Sequence, residues 1–331
     1  MVQDLTGPNA PGDQRSVDVR GNDLGIVAQS CDQLFFVFGD TFGYDSSGSL
    51  APGGSNWRSN TFGRSTDLDP SKGITIEHWY LGPDGKAAAI VEGAHQPPLT
   101  GTDCEQTKIP TSMIVVGKKI YVHYMSVHGF LPQPGAWETN YTKWVYSEDW
   151  GNSWTQDPQI FSGRDSIFTE LALNKERGAG NEDGRFVYAL GTPNGRFGPA
   201  RCARVAKEHL LDFDAWQFYA GDHWSHSMAD AVEVVPAPVG EASLLWNPSL
   251  HCWMYTYLNE SSHNLELRTA DFVWGPWSTP VTLATPQAYP QLYGAFMTPS
   301  FLRDDGHTLY FVMSTFNPYL THIMKAVLVT Q

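Results

Sequence analysis

Short apolar runs separated by turn residues dominate this chain and constrain its fold more than any other feature. "QLFFVFGD", "SMIVVGKKIYVHYMSV", "RFVYALGT", "CWMYTYLNE", "HTLYFVMST" and "IMKAVLVTQ" are each bounded by residues that favour turns. Runs of this length and rhythm are β-strands, whereas a helix needs apolar positions three and four apart over about ten residues or more. No segment shows the helical spacing; "CARVAKEHLLDF" alone fits either one short helix or a strand and turn. The 31 Gly and 22 Pro supply the punctuation that many short strands require. The expectation is an all-β protein.

Charge and cysteine spacing remove several function classes. Lys and Arg number 21 against 35 Asp and Glu, a formal charge of −14, which repels nucleic-acid backbones and anionic bilayers. Aromatic residues make up 13% of the chain, and their flat faces serve both β cores and sugar-binding clefts. Cys31, Cys104, Cys202 and Cys252 have no CxxC spacing, which argues against a zinc or redox centre and leaves two disulfides or none. The histidines show no HExxH spacing, and His123 and His128 read as core or rim residues. No apolar stretch is as long as a membrane span, and "MVQDLTGPNA" lacks the basic and hydrophobic parts of a signal peptide.

The most specific local motif is "SEDWGNSW", residues 147–154, which fits Ser-x-Asp-x-Gly-x-x-Trp and so resembles the Asp-box of β-propeller hairpins. That resemblance implies a structural role: Asp149 accepts backbone hydrogen bonds, Gly151 makes the turn and Trp154 packs between blades. "DFVWGPWSTP" at 271–280 is a weaker echo. Dividing 331 residues by five leaves about 66 per blade, generous beside the roughly 40–50 of compact propeller repeats. We therefore expect a single-domain five-bladed β-propeller with long loops, its blades near 22–80, 88–157, 158–222, 228–284 and 288–330. "QRSVDV" is the segment expected to complete the last blade, and no linker divides the chain.

"NDLGIVAQSCDQLFFVFGDTFG" reads as a hairpin with its turn near Cys31 and Asp32. A register symmetric about that turn places Asp23 opposite Asp40. Opposed residues have Cβ atoms roughly 4.5–5.5 Å apart, and carboxylates that close resist joint ionisation. The resulting split in proton affinity is what general acid and base chemistry uses. Turn capping and calcium ligation are the alternative uses of such acids, and the residues by themselves leave all three open.

In order along the chain, "NDLGI", "FGDTFG", "WRSN", "KIPTSMIVVGKKIYVHYMSV", "WETNYTKWVYSEDWGNSW", "VYALGTPNGRFGPARCARV", "AWQFY", "PVGEASLLWNPSLHCWMYTYL" and "WGPWSTP" resemble the endo-D-arabinanase family of glycoside hydrolases, once catalogued as a domain of unknown function. The resemblance runs from about residue 5 to about 315. It implies a five-bladed propeller that cuts α-linked D-arabinofuranosyl chains of mycobacterial arabinogalactan and lipoarabinomannan at one mouth of its central channel. The family's paired acids fall on Asp23 and Asp40, and Asn22 replaces a threonine-like residue before the first. Two carboxyl groups suffice for glycoside hydrolysis, and analogy with other five-bladed furanosidases favours inversion.

Glu241, just before an apolar strand, is the expected third acid, as proton donor, tuner or hydroxyl-binding group; Glu170 is a poorer candidate. For holding an uncharged sugar, stacking faces and fixed donors are needed, and Trp57, Arg58, Asn60, Lys108, Trp137, Asn140, Arg196 and Tyr293 are the expected contacts. No organic cofactor is implied, and a calcium or sodium ion in the channel is left open. The expected partner is an arabinan polysaccharide or oligosaccharide, the chain being a monomer or weak homo-oligomer. A substrate of this class places the protein outside the cell. The rival expectations are a lectin-like propeller without chemistry and an enzyme for another furanoside; lack of an evident three-arginine clamp disfavours a sialidase.

Overall fold

Each apolar run supplies most of a strand, or of two in the case of "SMIVVGKKIYVHYMSV", in the computed structural model, which describes residues 1–30, 32–97 and 104–329. Among these residues there is no α-helix, only single turns of 3-10 helix. "CARVAKEHLLDF" resolves into the strand Ala200–Ala206 and one such turn, Lys207–His209.

The strands assemble into five antiparallel sheets. The first runs outward as Gly21–Gln29, Leu34–Gly43, Thr61–Ser65 and His78–Trp79. The second runs as Thr107–Val116, Lys119–Phe130, Trp137–Ser147 and Thr155–Gln156. Glu170–Asn174, Ala242–Asn247 and Leu292–Phe296 begin the third, fourth and fifth. The five inner strands touch in ring order and the last touches the first, which makes the molecule a five-bladed β-propeller around a central channel.

Two details differ from the sequence expectation. The strand that closes the last blade is Gln3–Asp4, which pairs with His322 and Ile323, and not residues 14–19. The latter form a turn because the buried Gln14 side chain spends its bonds nearby, donating to Leu5 O and accepting from Gly7 N. Blade boundaries also fall later than expected: Ser162–Gly163 pairs within the second sheet, and Trp224–Ser225 and Glu233–Val235 within the third. Extra edge pairings of this kind cannot be seen in strands only two or three residues long. Cys202 and Cys252 carry free thiols, which removes the two-disulfide arrangement.

Aromatic packing fastens neighbouring blades. In the turn at 147–154, Asp149 accepts from the backbone N–H groups of Asn152 and Ser153 at 3.1 and 2.8 Å and from the Ser147 hydroxyl at 2.8 Å. Gly151 has φ +88°, and a Cβ there would lie 2.2 Å from the Phe62 ring. Trp154 meets Phe62 edge-on at 4.9 Å, and Trp150 stacks on Phe35 at 6.0 Å, so this turn of the second blade is seated on the first.

Candidate active site

The first hairpin starts in the expected register, and the register then breaks where the acids lie. Gly21 pairs with Phe42 and Asn22 with Thr41, and the same symmetry holds from Ile26–Val37 to Gln29–Leu34. Between them Leu24 pairs with Phe38, so the ladder slips twice. Leu24 and Gly25 both have positive φ, 61° and 74°, which lets the strand bulge. Asp23 and Asp40 are therefore not an opposed pair of the ladder, as the symmetric register predicted. Instead the Asp23 carboxylate lies across Gly39, where a Cβ would fall 2.2 Å from Oδ1. Glycine at 39 is what lets one acid reach over the strand that carries the other. The expected turn at Cys31 lies outside the described residues, and Asp32 follows it at an exposed bend.

Each acid is held by a different neighbouring blade. Tyr293 Oη, on the inner strand of the fifth blade, donates to Asp23 Oδ2 at 2.9 Å, and Tyr319 of the same blade lies close enough to lower the proton affinity of this carboxyl group. Asp23 Oδ1 is left without a partner among the described residues. Thr107 Oγ1, from the second blade, and Trp57 Nε1 both donate to Asp40 Oδ1, at 2.6 and 2.7 Å. Burial and then the nearby charge of Asp40 push the Asp23 pKa up to about 7. Burial also raises Asp40, to about 6, against the pull of the Thr107 and Trp57 hydrogen bonds. Both groups are thus raised toward neutral pH, with the proton held more tightly on Asp23.

Both acids line a cavity of about 860 Å³ at the channel mouth, large enough for several sugar rings. Another part of its wall is built around Arg196, whose Nε and Nη2 donate to Glu241 Oε1 at 3.0 and 2.6 Å. Arg196 Nη1 is 3.7 Å from Glu260 Oε2, and the guanidinium lies over the Tyr293 ring at 5.0 Å and the Trp137 ring at 5.9 Å. A Cβ on Gly135 or Gly240 would stand 3.1 Å from the Arg196 side chain, so both glycines leave room for it. Glu170, on the inner strand of the third blade, also faces this cavity. Phe130, Leu131 and Phe316 form an exposed apolar rim.

The structure thus gathers Asp23, Asp40, Glu241, Glu170, Trp137, Arg196 and Tyr293 around one cavity. Trp57, Arg58, Asn60, Lys108 and Asn140 do not line it. Trp57 acts on the site through its bond to Asp40, its ring against His95 at 4.0 Å. Arg58 is buried and donates to Asp18 O at 2.8 Å. Asn60 ties together Ile90, Val91 and Lys108 through their backbones. Lys108 donates to Glu92 O and pairs with Glu105, and Asn140 donates to Cys104 O and Ser126 Oγ. Thr107, Tyr319, Glu260 and the rim residues were not singled out by sequence. Only ring closure brings them to the acids, and no local pattern marks that. Among the described residues no group of three or more His, Cys, Asp or Glu is placed to hold a metal ion.

Residues 9–325 match the family described as Domain of unknown function (DUF4185). The chain belongs to that family. No curated protein matches this DUF4185 chain. Among solved structures it resembles a presumed hydrolase from Bacteroides ovatus, with a TM-score of 0.66 at 12% identity over 94% of this chain and 87% of that one. It also resembles a GH43_1 enzyme from Xanthomonas citri, with a TM-score of 0.54 at 11% identity over 99% and 92% of the two chains. An exo-beta-1,3-galactanase from Phanerochaete chrysosporium gives 0.56 at 10% identity, over 99% of this chain and 64% of that one. At such identities the likeness is one of fold: this DUF4185 protein has the five-bladed architecture found among GH43 glycoside hydrolases.

Proposed function

We propose that this DUF4185 protein is an endo-acting glycoside hydrolase that cleaves α-linked D-arabinofuranosyl chains, with Asp23 as general acid and Asp40 as general base. One observation carries the reading: two carboxyl groups, at about 7 and about 6, stand together at the mouth of a sugar-sized cavity. Asp23 retains its proton near neutrality and gives it to the departing glycosidic oxygen. Tyr293 holds that carboxyl group in place. Asp40, with Oδ1 occupied by Trp57 and Thr107, uses its other oxygen to take a proton from water. The water oxygen then bonds to the anomeric carbon as the C–O bond breaks, and both protons are accounted for. A single displacement of this kind inverts the anomeric centre, which NMR of the first-formed anomer reads directly.

The choice of D-arabinofuranan rests on the sequence resemblance over nearly the whole chain, supported by the hydrogen-bonding wall and by rim faces suited to uncharged rings. Action on a cell-envelope polysaccharide places the protein outside the cell. The test is incubation with mycobacterial arabinogalactan. Oligosaccharides of several sizes are expected, release of monosaccharide alone would mean exo cleavage, and saturable binding with no new reducing ends would replace the hydrolase by a glycan-binding propeller.

A further inference from the structure

The wall around Arg196 contains more carboxyl groups than its one arginine can serve. Glu170, Glu241 and Glu260 all line the cavity, with Arg196 the cation among them. Glu170 and Glu260 are each 8% exposed and Trp137 is 7% exposed, so these side chains are more than nine-tenths buried. Even so, Glu170 Oε1, Glu241 Oε2 and Trp137 Nε1 have no hydrogen-bond partner among the described residues. Buried polar atoms are almost always paired, so three orphans among the residues lining one cavity point to a ligand that supplies the missing partners.

We propose that Glu170, Glu241, Glu260 and Trp137, organised by Arg196, form a subsite that binds an uncharged sugar ring through its hydroxyl groups and rejects rings that carry a carboxylate. This rests on reading the cavity as a sugar site and goes further in specifying which rings enter it. Hydroxyls can donate to the Glu241 and Glu260 oxygens and accept from Trp137 Nε1. Burial, followed by the charge of Glu241, pushes the Glu170 pKa well above the usual carboxylate range, which gives the wall a neutral O–H donor as well. An anionic ring finds Arg196 already engaged by Glu241 and Glu260 and His263 drawn to Glu260, and it enters a cavity lined by five acidic side chains, Asp23, Asp40, Glu170, Glu241 and Glu260. Discrimination on this wall therefore comes as much from repulsion as from attraction.

The probes are a neutral arabino-oligosaccharide and the same oligosaccharide with its primary hydroxyls oxidised to carboxylates, both measured by calorimetry on the full chain. The neutral form is expected to bind at least ~10-fold more tightly. Glu170→Gln keeps an N–H donor and should retain the neutral affinity within about threefold, whereas Glu170→Leu should lose about tenfold. Glu241→Gln releases the guanidinium and should shrink the neutral-to-anionic ratio by ~10-fold, with circular dichroism reporting an intact fold. Equal or better binding of the oxidised form by the unaltered chain, an unchanged ratio in Glu241→Gln, or no binding of either probe would overturn the proposal. Binding is read apart from turnover. Selective binding without cleavage would retain this subsite and remove the hydrolase, and cleavage without selectivity would do the reverse.

Discussion

Asp149 and Asp40 both sit at the ends of β-hairpins, each beside a glycine that admits a close contact, yet their surroundings drive them in opposite directions. Asp149 is saturated by hydroxyl and backbone donors of its own turn, led by Ser153, and its pKa is lowered. Asp40 receives two donors on one oxygen, is buried, and is raised to about 6. The glycines differ in the same sense. Gly151 makes room for the Phe62 ring, and Gly39 makes room for the Asp23 carboxylate. A carboxylate that exhausts its bonds locally stabilises a turn, and one denied them retains affinity for a proton.

The sharpest way to break this comparison is Asp40→Asn, which keeps an acceptor for Trp57 and Thr107. Turnover should fall by about 10³-fold or more while the fold persists. Stability should move the other way. A carboxyl group raised in the folded state adds stability that is complete below its unfolded value and lost as pH rises through the folded one. For Asp40 that window ends near 6, and for Asp23 near 7. Thermal melts should therefore show Asp40→Asn about 2–4 °C above the parent at pH 8, with a smaller gap at pH 5. Parental turnover in this variant would remove Asp40 from the chemistry.

The two glycines give the next largest effect. Gly39→Ala pushes the Asp23 carboxylate aside and should cost about 100-fold in kcat/KM with little change in melting temperature. Gly151→Ala should do the converse, destabilising by about 1–3 kcal/mol through its positive φ and the Phe62 clash while the surviving fold keeps its kcat. If both variants lose activity and stability together, the division between a chemical and a structural hairpin fails.

The smallest effect is in the pH profile. The parent should show a bell with its maximum between about 6 and about 7. Trp57→Phe deletes a donor that favours the ionised form of Asp40, so the acidic limb should move up by about one unit. A limb that stays in place would separate Asp40 from the base.

Those values came from neighbours that the sequence does not place side by side. Blade count, strand runs and the placing of both aspartates on the first hairpin were legible because each depends on local rhythm or on one hairpin. Most of the hairpin register was legible too, from Gln29–Leu34 to Ile26–Val37. The double slip around Leu24 was not, because positive φ at a leucine leaves no mark in composition. Trp57, Arg58 and Asn60 read as sugar contacts by residue type, but their chemistry is consumed inside the fold, by Asp40, Asp18 and the 90–91 backbone. Arg196, Glu241 and Tyr293 were picked out one by one, and what escaped was that they form a single wall with Glu170 and Glu260.

Asp23 is steadied by Tyr293, 270 positions downstream, and Asp40 by Thr107. During synthesis the first acid therefore waits, solvated and ordinary, until nearly all of the polypeptide has emerged. Incomplete chains carry both aspartates but lack the fifth-blade partner of Asp23, so a truncated product would be chemically silent however well its early blades had folded.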